Sequence, residues 1–164
     1  MLKRQVTYKN PFTDEDVVED LYFHINLAEA TQMEMYENLS DTLEALGKLD
    51  PETKEGKRET YRIFEWLVQR AYGVRHSDGI NFLKNEAIQK DFMKSLAYSE
   101  ILEWLLFDDK ATDNASAFIN GLLPDTLLSE ARKRVGGDDI TDTDASKPTI
   151  TPRRSRFDDL SPEE

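Results

Sequence analysis

Apolar side chains in this chain recur with two different periods, and the place where one gives way to the other limits the folds available to it. Leu2, Arg4, Val6 and Tyr8 alternate with Lys3, Gln5 and Thr7, and Leu21, Phe23 and Ile25 alternate with Tyr22 and His24. Period two on β-branched and aromatic residues predicts half-buried strands. Between them "NPFTDED" supplies the Asn, Pro and Asp of a turn or short loop, so the chain opens as an antiparallel hairpin. A lone hairpin is marginal in water, and this one must lay its apolar face on something else.

From Asn26 the spacing becomes three and four. Asn26, with Glu29 three residues on, has the form of a capping box, which satisfies the exposed N–H groups of a first helical turn. Leu27, Ala30, Met33, Tyr36, Leu39, Leu43 and Leu46 form one apolar stripe and predict a single helix stopping at Gly47. Asp50 followed by Pro51 restarts a helix, since Pro is tolerated at the first helical position. Its early turns are polar, and the pattern strengthens through Tyr61, Phe64, Leu67, Val68, Ala71 and Tyr72 to an end at Gly73. Asp78 and Gly79 form a tight-turn pair. Ile80, Phe82 and Leu83 behind them fit the start of either a short strand or a helix. Two further helices are predicted, from about residue 85 to 94 with Ile88 and Phe92, and from about 96 to 107 with Tyr98, Ile101, Leu102, Leu105 and Leu106. After a break over 108–114, a last core helix carries Ala115, Phe118, Ile119 and Leu122 and is stopped by Pro124, with a short amphipathic piece bearing Leu127, Leu128 and Ala131 behind it. The fold class is therefore mainly α: an N-terminal β-hairpin packed on a bundle of four or five short helices.

Past Val135 the composition changes. Gly136 and Gly137 lead into Asp, Thr, Ser and Pro, with Ile140, Ile150, Phe157 and Leu160 as isolated large apolar side chains. Such a stretch buries too little surface to offset its ordering entropy, so 1–135 is expected to form one domain and 136–164 a disordered acidic tail.

Composition removes several classes of function. The 164 residues hold no cysteine, which excludes disulfides, thiolate metal sites and thiol nucleophiles. A net charge of -12 opposes binding to a phosphate backbone, and the basic spots Lys3–Arg4 and Arg153, Arg154, Arg156 each lie close to acidic residues. No nucleic-acid partner is expected. No stretch approaches the roughly 20 apolar residues of a membrane span, and the start "MLKRQV" lacks an apolar run behind its basic residues. A soluble, cytoplasmic protein is the expectation.

No reactive constellation emerges either. His24 and His76 have neither metal-ligand spacing nor an evident third ligand, and read as ordinary residues: His24 off the hairpin's apolar face, His76 in a turn. Carboxylate pairs such as Glu15–Asp16 and Asp108–Asp109 are expected by composition in so acidic a chain, and "DDITDTDASKP" lacks the Gly and closing Glu of a calcium loop. There is no phosphate-cradling Gly-rich loop, and Ser99 lacks a GxSxG setting. Catalytic residues, metal and cofactor are all expected to be absent; the chain reads as one that binds. The aromatics Trp66 and Trp104 lie beside their helices' apolar stripes, and Phe107 joins them. Sealing the edge of the core is the ordinary role of such residues, and anchoring a partner is the alternative.

Four segments in this order and spacing, "YFHINLAEATQMEMYENLS", "LVQRAYGVRHSDGINFLKN", "AYSEILEWLL" and "AFINGLLP", resemble the tail assembly chaperones of long-tailed bacteriophages of Gram-positive hosts. The likeness covers about residues 5 to 125 and rests on Tyr22, Phe23, Leu27, Tyr72, Gly73, Asp78, Gly79, Phe82, Ala97, Tyr98, Phe118, Ile119, Gly121 and Pro124. It implies a non-enzymatic protein of the host cytoplasm that binds the long, coiled-coil-rich tape measure protein, keeps it soluble, helps recruit tail tube protein around it and is absent from the mature virion. It also implies a longer product made by ribosomal frameshifting, through which the tube subunit is contacted, and leaves room for self-association on the client. A small phage-encoded adaptor or regulator docking on a host protein is the alternative. The position of the gene relative to a very long tape measure gene separates the two.

Overall fold

A computed structural model describes residues 1–125 of the chain. The hairpin consists of β1 (Leu2–Lys9) and β2 (Asp16–Phe23), paired antiparallel in the register Leu2↔Phe23 through Lys9↔Asp16. Leu2, Arg4, Val6 and Tyr8 share its inner face with Val17, Glu19, Leu21 and Phe23, and on the outer face Lys3 and Gln5 reach Asp20 and Lys9 reaches Asp16. The tip is a loop closed on Asn10, whose side chain accepts from the Phe12 N–H at 2.9 Å.

Asn26 caps α1 (Leu27–Glu37) with both hydrogen bonds of the capping box, each 2.9 Å. The single helix predicted over this stretch is in fact two. Asn38 adopts a left-handed conformation (φ 52°, ψ 53°), which breaks the ladder and starts α2 (Leu39–Lys48) in a new direction, with Gly47 inside its last turn. Asn tolerates this geometry better than most residues. The next helix, α3 (Lys54–Ala71), begins after Pro51 and is capped by Thr53, whose hydroxyl accepts from the Gly56 N–H at 3.0 Å.

That helix ends two residues before the predicted Gly73. Tyr72–Arg75 is β3, whose Tyr72 and Gly73 pair with Phe23 and Tyr22, and Phe82–Leu83 is β4, pairing with Arg75 and Val74. The open choice at Phe82 and Leu83 thus resolves to a strand, and the sheet has the order β1-β2-β3-β4. The remaining helices are α4 (Glu86–Met93), capped by Asn85, α5 (Leu96–Leu106), capped by Ser95, and α6 (Ala111–Leu122), which starts within the stretch expected to be a break. The fold is mainly helical, with the hairpin against the helices as expected, and the division at Asn38 brings the described helices to six.

The core lies between the sheet and the helices, with the buried faces of α3, α5 and α6 as its larger share and Phe92 of α4 among its rings. Its centre is aromatic: the Phe23 ring lies 5.9 Å from Tyr72, 6.1 Å from Phe92 and 5.5 Å from Phe118, and Tyr72 stacks on Phe92 at 3.6 Å. Each such pair adds about 0.5–1.5 kcal/mol beyond the area it buries. The expected piece bearing Leu127, Leu128 and Ala131, the boundary at 135 and the tail 136–164 lie outside the described residues.

Candidate functional site

The residues that carry the sequence resemblance form a frame. Phe23, Tyr72, Ala97, Tyr98 and Phe118 are buried in the core, and Ile119 packs on its edge. Gly73 sits where β4 passes so closely that a Cβ would lie 2.6 Å from the Leu83 carbonyl oxygen. Gly121 approaches the Leu2 side chain, Tyr22 pairs with Lys3 and with Gly73, and Leu27 and Pro124 line one groove.

Asp78 and Gly79 build the β3–β4 turn. The Asp78 carboxylate accepts from the Ile80 N–H at 2.8 Å, the Asn81 N–H at 2.9 Å and the Asn81 side chain at 2.6 Å, while Gly79 holds φ at 72°. These hydrogen bonds, the Asn81 N–H foremost, hold the carboxyl at a pKa of about 2. His76 lies in this turn as expected, with Nδ1 2.9 Å from Asp78.

Lys84 pins the turn to the helical body. Its side chain is 12% exposed, and its Nζ donates to the His24 carbonyl at 2.6 Å and to both Glu29 oxygens at 2.8 and 2.9 Å. Glu29 thereby serves the α1 capping box and the β4 strand at once. His24 packs its ring against Phe82, and burial, with the amino terminus and Lys84 next, pushes its pKa below the ordinary histidine value.

The three aromatics singled out as interface anchors separate. Trp104 is taken up by the body: the Arg4 guanidinium lies 4.2 Å from its ring centroid, Phe118 meets it edge-on at 6.5 Å, and its carbonyl accepts from Asn114. Trp66 is partly buried on α3 and donates its indole N–H at 2.8 Å to Glu37, which also contacts Arg70. Phe107, just past α5, is 75% exposed.

Trp66 and Phe107 line two clefts on either side of the outer face of α3. One, of about 500 Å³, has Trp66, Ile63, Met93, Glu37, Glu65 and Arg62 in its walls. The other, of about 380 Å³, is formed by Tyr61, Ser99, Leu102, Glu103 and Phe107. Tyr61 in the second cleft precedes Arg62 in the first by one residue and Glu65 by one turn, so the clefts adjoin along the helix. Sequence reasoning missed Tyr61 as a surface residue because it falls in the apolar series of α3; its phase, one turn before Glu65, was the available signal. Apolar and charged side chains stand side by side in both, Ile63, Trp66 and Met93 with Glu37, Arg62 and Glu65 in the first, and Tyr61, Leu102 and Phe107 with Glu103 in the second.

Among the described residues, no group of three or more His, Asp or Glu side chains is placed to hold a metal ion, and no helix is long and apolar enough to cross a membrane. No curated protein and no solved structure matches the chain. A family model described as phage tail assembly chaperone matches residues 1–162, nearly the whole sequence and all of the fold described above. The chain belongs to the phage tail assembly chaperone family.

Proposed function

We propose that this chaperone works in tail assembly by binding the tape measure protein through the face of α3 and the two clefts beside it. The observation that carries this reading is Phe107, displayed at 75% exposure next to Tyr61 over a floor of Leu102. An exposed aromatic beside an apolar cleft is the usual anchor of a protein contact. A long client rich in helices offers apolar faces that fit such grooves, and many copies along one client bind with avidity that a single weak contact lacks. Trp104, held from within by Arg4 and Phe118, keeps β1 on the helices, and Trp66 and Phe107 make the contact. The net charge of -12 keeps unoccupied copies apart.

The chaperone acts without a reaction of its own. It holds the client soluble in the host cytoplasm, helps gather tail tube protein around it and is left out of the finished virion. A longer frameshifted product supplies the tube contact. The test is co-expression with the tape measure protein of the same phage, scoring its solubility and co-purification. The unsubstituted chain should yield a soluble complex containing several copies. Tyr61→Glu with Phe107→Glu, at unchanged thermal stability, should abolish it. Retention of the complex by that variant would reject the α3 face as the contact.

A further inference from the structure

The second cleft contains a carboxylate whose charge is left unmatched. Glu103 lines it from α5 and forms no ion pair among the described residues. The helix itself carries a second acid, Glu100, and neither Lys nor Arg, and Lys110, the next cation along the chain, is not among the residues of the cleft. In the first cleft, by contrast, Glu37 pairs with Arg70 and Arg62 with Glu59. Glu103 also stands in the last turn of α5, where unpaired carbonyl ends already favour a cation, so its own charge deepens a negative spot. Aromatic surface flanks it. Phe107, 75% exposed, is held one turn beyond by its N–H, which donates to the Glu103 carbonyl at 2.9 Å, and Tyr61 stands across the cleft on α3. Tyr98 of α5, only 7% exposed, carries a hydroxyl without a hydrogen-bond partner among the described residues; burial, then the nearness of Tyr61 and Glu65, pushes its pKa up.

We propose that this cleft receives an arginine side chain of the client, its guanidinium on the Glu103 carboxylate beside the Tyr61 and Phe107 rings. The inference rests on the client contact proposed above and adds the chemistry that the client must bring to it. A cation on a long aliphatic stem matches a site that is apolar along Leu102 and charged at Glu103. Arginine suits it better than lysine: the planar ion lies flat on aromatic rings and offers parallel N–H donors to one carboxylate, with further donors for the Tyr98 oxygen. The fold makes one such contact internally, where the Arg4 guanidinium lies 4.2 Å from the Trp104 ring centroid. A second copy of the chain is a poor occupant, because at a net charge of -12 it brings more of the charge that the site already has.

The experiment titrates overlapping peptides that tile the tape measure protein of the same phage against the full chain, Glu103→Gln, Glu100→Gln, and Tyr61→Glu with Phe107→Glu. The tightest peptide should bind Glu103→Gln about tenfold more weakly, and should lose about as much when one of its arginines is replaced by citrulline, which keeps the shape and removes the charge. The two losses should not add, because both delete the same contact. Glu100→Gln makes the same charge change on the same helix outside the cleft and should bind within about twofold of the parent. Added salt should weaken the parent complex more than the Glu103→Gln complex. Parent-like binding by Glu103→Gln, or losses that add in full, overturns the inference, while loss of binding in Tyr61→Glu with Phe107→Glu leaves the α3 face standing. A loss on replacing lysines of the peptide by norleucine, with citrulline silent, also overturns it and gives the cleft to lysine. Peptides that no form of the chain binds reject the client contact itself, and the arginine site with it.

Discussion

Replacing Gly73 by alanine tests how tightly β3 is locked against β4. The added Cβ would lie 2.6 Å from the Leu83 carbonyl oxygen, 2.7 Å from Lys84 Cγ and 2.7 Å from Phe82 Cζ, where ordinary contacts begin near 3.4 Å. The Phe82 ring and the Lys84 stem can swing, but the Leu83 oxygen moves only with its strand, and that strand is held by the pairing of Val74 with Leu83 and by the Lys84 contacts to Glu29 and His24. Overpacking costs about 1–3 kcal/mol in general, and a backbone obstacle places this case in the upper half, at about 2–3 kcal/mol. For a body of this size that lowers the midpoint of thermal unfolding by roughly 6–15 °C. Gly47→Ala is the matched control: nothing lies within 4 Å of the place its methyl group would take inside α2, so the change should stabilise. The expected gain is about 0.5–1 kcal/mol, the ordinary benefit of removing a helix-interior glycine. Circular dichroism of the three proteins on heating reads both signs in one experiment. A Gly73→Ala midpoint within about 2 °C of the parent would refute the reasoning, because β4 would then be free to step aside.

Lys84→Met should cost about 1–2 kcal/mol in urea unfolding, the lower part of the range for charged hydrogen bonds because Glu29 is partly exposed. A double-mutant cycle with Glu29→Gln should show coupling above about 0.5 kcal/mol, and additive losses would mean that the two side chains act independently. The Asp78 carboxyl, followed by NMR, should titrate near 2 and not at its ordinary 3.8. Since its folded pKa is the lower one, its contribution to stability is whole above 3.8 and disappears as pH falls through about 2, so the protection of the Ile80 and Asn81 amides, measured against the intrinsic exchange rate at each pH, should fall across that interval. A midpoint at or above 3.8 would show that the turn's hydrogen bonds to the carboxylate are not formed in solution.

Much of the fold was legible because periodicity reports burial. β1 matches its alternation from end to end, Asn26 caps α1 as its spacing from Glu29 predicts, and α4 and α5 begin within a residue of their expected starts. β2 begins earlier than Leu21 because Asp16, Val18 and Asp20 face outward while Val17 and Glu19 face inward, and that mixture hides the alternation. The break at Asn38 left the apolar spacing intact on both sides, so only a backbone angle reveals it. β3 and β4 are too short for a period to show, and they exist because Phe23 and Tyr22 offer an edge that lies far away in sequence. The same limit applies to the clefts. Trp66 and Trp104 stand alike beside an apolar stripe, and that one lines a cleft while the other lies under Arg4 is settled by contacts made across the fold and not along a helix.

The aromatic centre sets an order of events during synthesis. Phe23 arrives with the hairpin, Tyr72 and Phe92 follow from the middle of the chain, and Phe118 comes from the last described helix. The hairpin therefore leaves the ribosome long before the surface that will bury Phe23 exists. Phe118 is thus the last of these four rings to reach the core, and until it does Phe23 lacks the edge-on partner that lies 5.5 Å from it in the finished fold.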